Sequence, residues 1–294
     1  MSQLRLNGQI WKDEKTCDTG ARRQPMQAFT LGELLIAMVI TTMVSIVMGG
    51  MTMAVQTAWQ HTSGMEEANI QARVSLDRIK YMVGQAGLYE TAGQPTTLGV
   101  KVVSHKVSIW EFPDTLVVWS GGRDGGQARL GTQSRLPLTS ELLVYTVNPD
   151  DPEQLVEIAF PDDNSPIDFN DSGFDSDILA LISGPDAEPV QLVDRLRVSK
   201  PQIGGGAKFG NARFQLIETP DSDEIAATAV GSSDWNALEW AQGIVSGTSG
   251  MRQANLRIEL QLEPRSESSS DPNDPIAIPF FGSVSYRYVY QPSA

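Results

Sequence analysis

From Leu34 to Val55 the chain runs for 22 residues without an ionisable side chain, and about 20 suffice for a helix to cross the hydrocarbon core of a bilayer. No other segment restricts the possible folds so strongly. The run is longer than the apolar part of a secretory signal, roughly 7 to 15 residues, and no small-x-small cleavage site closely follows it. A retained, membrane-spanning helix is therefore expected at the N-terminal end.

Charge orients that helix. Residues 1–28 carry Arg5, Lys12, Lys15, Arg22 and Arg23 against Asp13, Glu14 and Asp18, whereas the whole chain has a formal charge of -14. A basic leader before an apolar run holds that end in the cytoplasm while the following chain is exported. The expected topology is a membrane crossed once, with the N-terminus cytoplasmic and the C-terminal domain outside. Binding of nucleic acid through a broad basic face is not expected at this charge. The one cysteine, Cys17, lies in the leader, so the exported part must fold without an intrachain disulfide. It is long enough to bury its own core.

One carboxylate, Glu33, stands at the entrance to the span. An acidic residue at the centre of a membrane helix costs about 3 kcal/mol and less near the interface, so a partner or a function is expected for it. The surrounding residues, Phe29-Thr30-Leu31-Gly32-Glu33-Leu34-Leu35, resemble the processing motif of type IV prepilins, shared by pilins and type II secretion pseudopilins. The resemblance implies a prepilin peptidase that cuts between Ala28 and Phe29 and N-methylates Phe29. It also implies that Glu33 pairs with the new amine of a neighbouring subunit, which would offset the desolvation of both charges. Such families usually carry Gly before the cut, where this chain has Ala28. The competing reading is a plain signal anchor with Glu33 reaching for the headgroups.

Beyond Val55 the pattern stays helical to about Ala86, with Gly87 as the stop. Met65, Asn69, Ala72, Leu76, Ile79, Val83 and Ala86 make one stripe at helical spacing, expected to pack on a sheet. Ala72 to Gly87 is also similar to the matching segment of the larger minor pilins and pseudopilins. The remainder reads as short strands between Gly, Pro, Asp and Ser clusters: Leu98–Val103, Thr115–Trp119, Glu141–Val147, Gln154–Phe160, Ile178–Ile182, Arg213–Ile217, Asn255–Leu262 and Ser283–Tyr290. The last two alternate cleanly and should pair antiparallel across a mobile Pro264 to Pro279 loop. Gly204 to Gly206 reads as a second mobile segment. The expected class is α+β, with a leader at 1–28, a transmembrane and filament-core helix at 29–55, its amphipathic continuation at 56–90 and an antiparallel β-rich domain at 91–294.

No catalytic constellation is evident, and an enzyme is not expected. The histidines are His61 and His105, and no local nucleophile motif accompanies them. Between Leu136 and Asp194 there are fourteen Asp and Glu and no Lys or Arg. Within that stretch Asp168, Asn170 and Ser172 occupy positions 1, 3 and 5 of a calcium-type loop with Gly173 at 6. Position 12 is Leu179 where a bidentate Glu is required, so Asp175 or Asp177 would have to substitute. The alternative is a solvated Asp/Asn/Gly turn without metal. Trp59, Trp110, Trp119, Trp235 and Trp240 are expected in the core more than in a sugar site. The leading expectation is a structural minor subunit of a type II secretion or type IV pilus filament, with other pilins or pseudopilins as partners. A membrane-anchored binding or adhesion module is the alternative, and an anchored hydrolase a third.

Overall fold

The computed structural model describes residues 30–107, 109–199, 208–243, 245–264 and 277–292. The leader with Ala28, the Phe29 cleavage position, most of the Pro264 to Pro279 loop and Gly204 to Gly206 lie outside them. The chain divides into two units, 1–55 and 56–294.

In the first unit everything described belongs to helix α1, Leu31–Val83, apart from Thr30 before it. Each side chain of this part is exposed. Among the described residues α1 is the one helix long and apolar enough to cross a membrane. Its threonines turn inward on the backbone: Thr41 Oγ1 donates to the Ala37 carbonyl at 2.8 Å and Thr52 Oγ1 to Met48 at 2.9 Å. A hydroxyl in an apolar run is satisfied in this way without any external partner.

The second unit opens with the rest of α1 and continues through strands Leu88–Tyr89 (β1), Thr97–Leu98 (β2), Val100–Val107 (β3), Trp110–Trp119 (β4), Thr132–Gln133 (β5), Leu142–Val147 (β6) and Leu155–Ala159 (β7). Helix α2, Phe174–Ile182, precedes Glu188–Val193 (β8), Val198–Ser199 (β9), Phe209–Gly210 (β10) and Ala212–Thr219 (β11). Helices α3, Ser222–Ala227, and α4, Ser233–Ala237, lead to Val245–Ser246 (β12), Ser249–Leu262 (β13) and Ile278–Tyr290 (β14).

Two antiparallel sheets dominate. One has the order β3-β4-β6-β7-β8. Its Leu116, Val118, Leu143, Tyr145 and Leu155 join a cluster with Ala68, Ala72, Leu76, Ile79 and Met82 of α1. Its alternate residues, Val117, Trp119, Leu142, Val144 and Ile158, pack with Phe169, Phe174 and Ile178. Covering both faces explains why β6 reads Leu-Leu-Val-Tyr with no polar alternation. The second sheet centres on β13, flanked by β11 and β14. There Ala254, Leu256, Ile258 and Leu260 enter the same core as α1, while Asn255, Arg257, Glu259 and Gln261 face away, which is the alternation of a sheet wet on one side. The expected pairing of the last two long strands is present, with Leu262 opposite Ile278 and Gly250 opposite Tyr290.

Two expectations are corrected. Ile178–Ile182 is the end of helix α2, not a strand. A five-residue apolar run fits either state, and Asp175 and Asp177 in the first turn favour the helix by facing its positive end. The core-facing stripe of α1 is also rotated by one position at its start, with Gly64 and Ala68 buried where Met65 and Asn69 had been expected. The helix ends at Val83, ahead of Gly87.

A half-buried ion pair fixes α1 on its sheet. Arg78 Nε and Nη2 donate to Glu157 Oε2 and Oε1 at 2.8 and 3.0 Å, and Tyr145 OH donates to Glu157 Oε2 at 3.0 Å. The Glu157 carboxylate raises the Arg78 pKa, and burial pushes the Tyr145 hydroxyl up. Removing one member of such a group strands the other in low dielectric.

Candidate functional site

Glu33 sits in the first turn of α1 and is held there by its own chain. Thr30 N–H donates to Glu33 Oε2 at 3.0 Å, Thr30 Oγ1 donates to the same oxygen at 3.1 Å, and Glu33 N–H reaches Thr30 Oγ1 at 3.4 Å. This reciprocal arrangement is a capping box, in which Ser or Thr at the N-cap and Glu or Gln three residues later satisfy backbone donors that a helix start leaves unpaired. Thr30 is thus the helix N-cap, a role not read from the sequence. The Thr-x-x-Glu spacing, Thr30-Leu31-Gly32-Glu33, was the available signal.

The geometry gives the carboxylate two possible duties. It closes the helix start, and its exposed oxygens remain free to accept from a further donor. Leu31, Leu34, Leu35 and Ile36 beside it are exposed.

The residues of the proposed calcium loop are placed differently. Asp168 Oδ1 accepts from Tyr89 OH at 2.8 Å and from Asn170 N–H at 2.9 Å, while Asn170 Nδ2 donates to Thr97 Oγ1 at 2.8 Å. Asp175 faces Lys101 Nζ at 3.3 Å, and Ser172 donates to Asp171. Asp175 and Asp177 lie in the first turn of α2. Among the described residues no group of three or more His, Cys, Asp or Glu is arranged to hold a metal ion. These oxygens cap a turn, start a helix and anchor Tyr89, whose hydroxyl is driven up in pKa by burial.

Of the tryptophans, Trp119, Trp235 and Trp240 are buried and Trp59 is exposed on α1. The side chain of Trp110 is not among those described. Trp235, Trp240 and Tyr290 form an aromatic cluster, with ring centroids 5.1 and 6.4 Å apart along the row. Nearby, a cleft of about 620 Å³ is lined by Thr97, Lys101, Asn170, Glu218, Arg252 and Tyr288 among others. Its buried Arg252 donates to the Pro220 carbonyl at 2.8 Å and Ser222 Oγ at 3.0 Å and lies 3.1 Å from Glu218, so its charge is met from within the chain.

No family model, curated protein or solved structure matches this chain.

Proposed function

We propose that the chain is a minor subunit of a filament of the type IV pilin class, either a pilus or a type II secretion pseudopilus. It is anchored by α1 in the inner membrane and assembles through that helix once a prepilin peptidase removes residues 1–28. The observation that carries this reading is Glu33, a capped and exposed carboxylate four residues after Phe29, at the head of a helix whose first thirty described positions need a partner or a lipid to cover them. Pairing Glu33 with the Phe29 amine of a neighbour would convert a costly charge in the bilayer into the contact that sets one subunit against the next. The C-terminal sheets then face outward.

The test is mass spectrometry of the membrane-purified protein after co-expression with a prepilin peptidase. A mature chain starting at N-methylated Phe29 is expected, and an intact leader overturns the reading. Glu33→Gln separates the two duties of the side chain, because Gln also completes a capping box but carries no charge. Processing should continue in that variant while incorporation into filaments is lost. The alternative, an anchored binding module, draws on the cleft around Arg252 and is the reading left standing if residues 1–28 are retained.

A further inference from the structure

Asn170-Asp171-Ser172, in the turn before α2, is an Asn-x-Ser triplet. Of the nine asparagines in the chain, Asn170 alone has Ser or Thr two residues on. On a surface loop of an exported protein, such a triplet is the acceptor sequence for an asparagine-linked glycan, provided that its middle residue is not proline. Asp168 adds an acid two residues before the asparagine, which bacterial transferases of this class read together with the triplet.

The fold puts these side chains where an enzyme can reach them. Asn170, Asp171 and Ser172 are all exposed, while Phe169 before them and Phe174 after them are buried, with ring centroids 4.8 Å apart. The two phenylalanines pin the ends of the turn to the core, and the triplet bulges out between them. Asp168 Oδ1 accepts from Asn170 N–H at 2.9 Å and Asp171 Oδ1 from Gly173 N–H at 2.8 Å, so each carboxylate closes a turn two residues long. Asn170 Nδ2 gives one of its two hydrogens to Thr97 Oγ1 at 2.8 Å. That is an exposed bond between neutral groups, of small net worth in water, and its loss frees the amide. Ser172 Oγ has Asp171 Oδ1 at 3.5 Å, long for a hydrogen bond.

We propose that Asn170 is the acceptor of an asparagine-linked glycan, attached on the outer side of the membrane. The donor class is an oligosaccharide carried on a lipid diphosphate. Asn170 Nδ2 attacks C1 of its first sugar: the N–C1 bond forms, the C1–O bond to the diphosphate breaks, the diphosphate leaves with the bonding pair, and an amide proton passes to a base of the transferase. Asn170 also lines the cleft around Arg252, so the glycan stands beside that cleft. Export of the second unit rests on the reading of the leader and α1; the choice of acceptor rests on the triplet and its exposure.

The test expresses the full chain in a bacterial host that carries an oligosaccharyltransferase reading Asp-x-Asn-x-Ser and its lipid-diphosphate-linked glycan. A second acceptor, Asp-Gln-Asn-Ala-Thr, is fused after Ala294 to report export, and a separate exported acceptor protein in the same cells shows that the transferase is active. Peptide mass spectrometry places the glycans. Occupancy at Asn170 and on the tail is expected. Asn170→Gln and Ser172→Ala should each lose the Asn170 glycan alone, whereas Ser172→Thr keeps the hydroxyl and retains it. All three changes are at exposed positions, so urea midpoints measured on unglycosylated protein should match the parent. A glycan on the tail alone overturns the proposal and leaves export standing; no glycan at either place overturns both. A glycan on Asn170 of a chain that keeps residues 1–28 supports the acceptor and sinks the filament reading.

Discussion

At the scale of single residues, stability here depends on a few positions without slack. Gly250 lies flat against Trp240, and a β-carbon added there would lie 2.3 Å from Trp240 Cδ2. The indole is buried between Trp235 and Tyr290 and has nowhere to go. Gly250→Ala should therefore cost about 1–3 kcal/mol in urea unfolding followed by tryptophan fluorescence; an unchanged midpoint would show that the ring gives way. Asp114 illustrates the opposite case. Burial raises its carboxyl pKa, against the opposing pull of His105 and a hydrogen bond from Thr115. The folded state favours the neutral acid, so this group's contribution is present below the ordinary aspartate value, about 3.9, and is lost as pH rises through the higher folded value. Asp114→Asn, which stays neutral, should raise the melting temperature at pH 7 by about 2–4 °C and leave it unchanged near pH 3.

At the scale of elements, α1 carries two opposed faces, and mutation should tell them apart. Ile79 is fully buried in the core shared with both sheets. Ile79→Ala leaves a cavity and is expected to cost about 2–5 kcal/mol. Ile70→Ala, on the exposed outward face, should stay within about 0.5 kcal/mol of the parent. A large loss of stability for Ile70→Ala would place that residue in the subunit's own core. The same helix shows what could be read in advance and what could not. Its long apolar start, its helical continuation and, in the sheet, the β13–β14 pairing were legible because apolar runs of that length and strict alternation each admit one local structure. The stripe's phase was off by one because Gly64 and Ala68 carry too little apolar surface to register as a face, although their small size is what lets them sit there. α2 was misread since a short apolar run has no period of its own. Thr30 was overlooked because Glu33 was weighed as a charge in the membrane and not as the third residue of a cap.

At the scale of the whole molecule, the acidic stretch from Leu136 to Asp194 is less exposed to self-repulsion than its composition implies. Bases from elsewhere reach it: Arg78 pairs with Glu157, Lys101 with Asp175, Arg123 with Glu188 and Arg135 with Glu141. The residual negative charge is spread over the surface, where mobile ions screen it over about 10 Å at 0.1 M salt. Any divalent cation should then act through ionic strength alone. In the loop at Asp168 to Asp177, Asp168 accepts from Tyr89 and Asn170, and Asp175 pairs with Lys101. After dialysis against EDTA, melting curves with calcium and with magnesium at matched ionic strength are expected to coincide, and EDTA itself to leave the midpoint unchanged. A rise of several degrees with calcium only would mean that the Asp168 carboxylate exchanges Tyr89 for the ion, and Tyr89→Phe, which frees that carboxylate from its hydroxyl donor, should then enlarge the calcium effect.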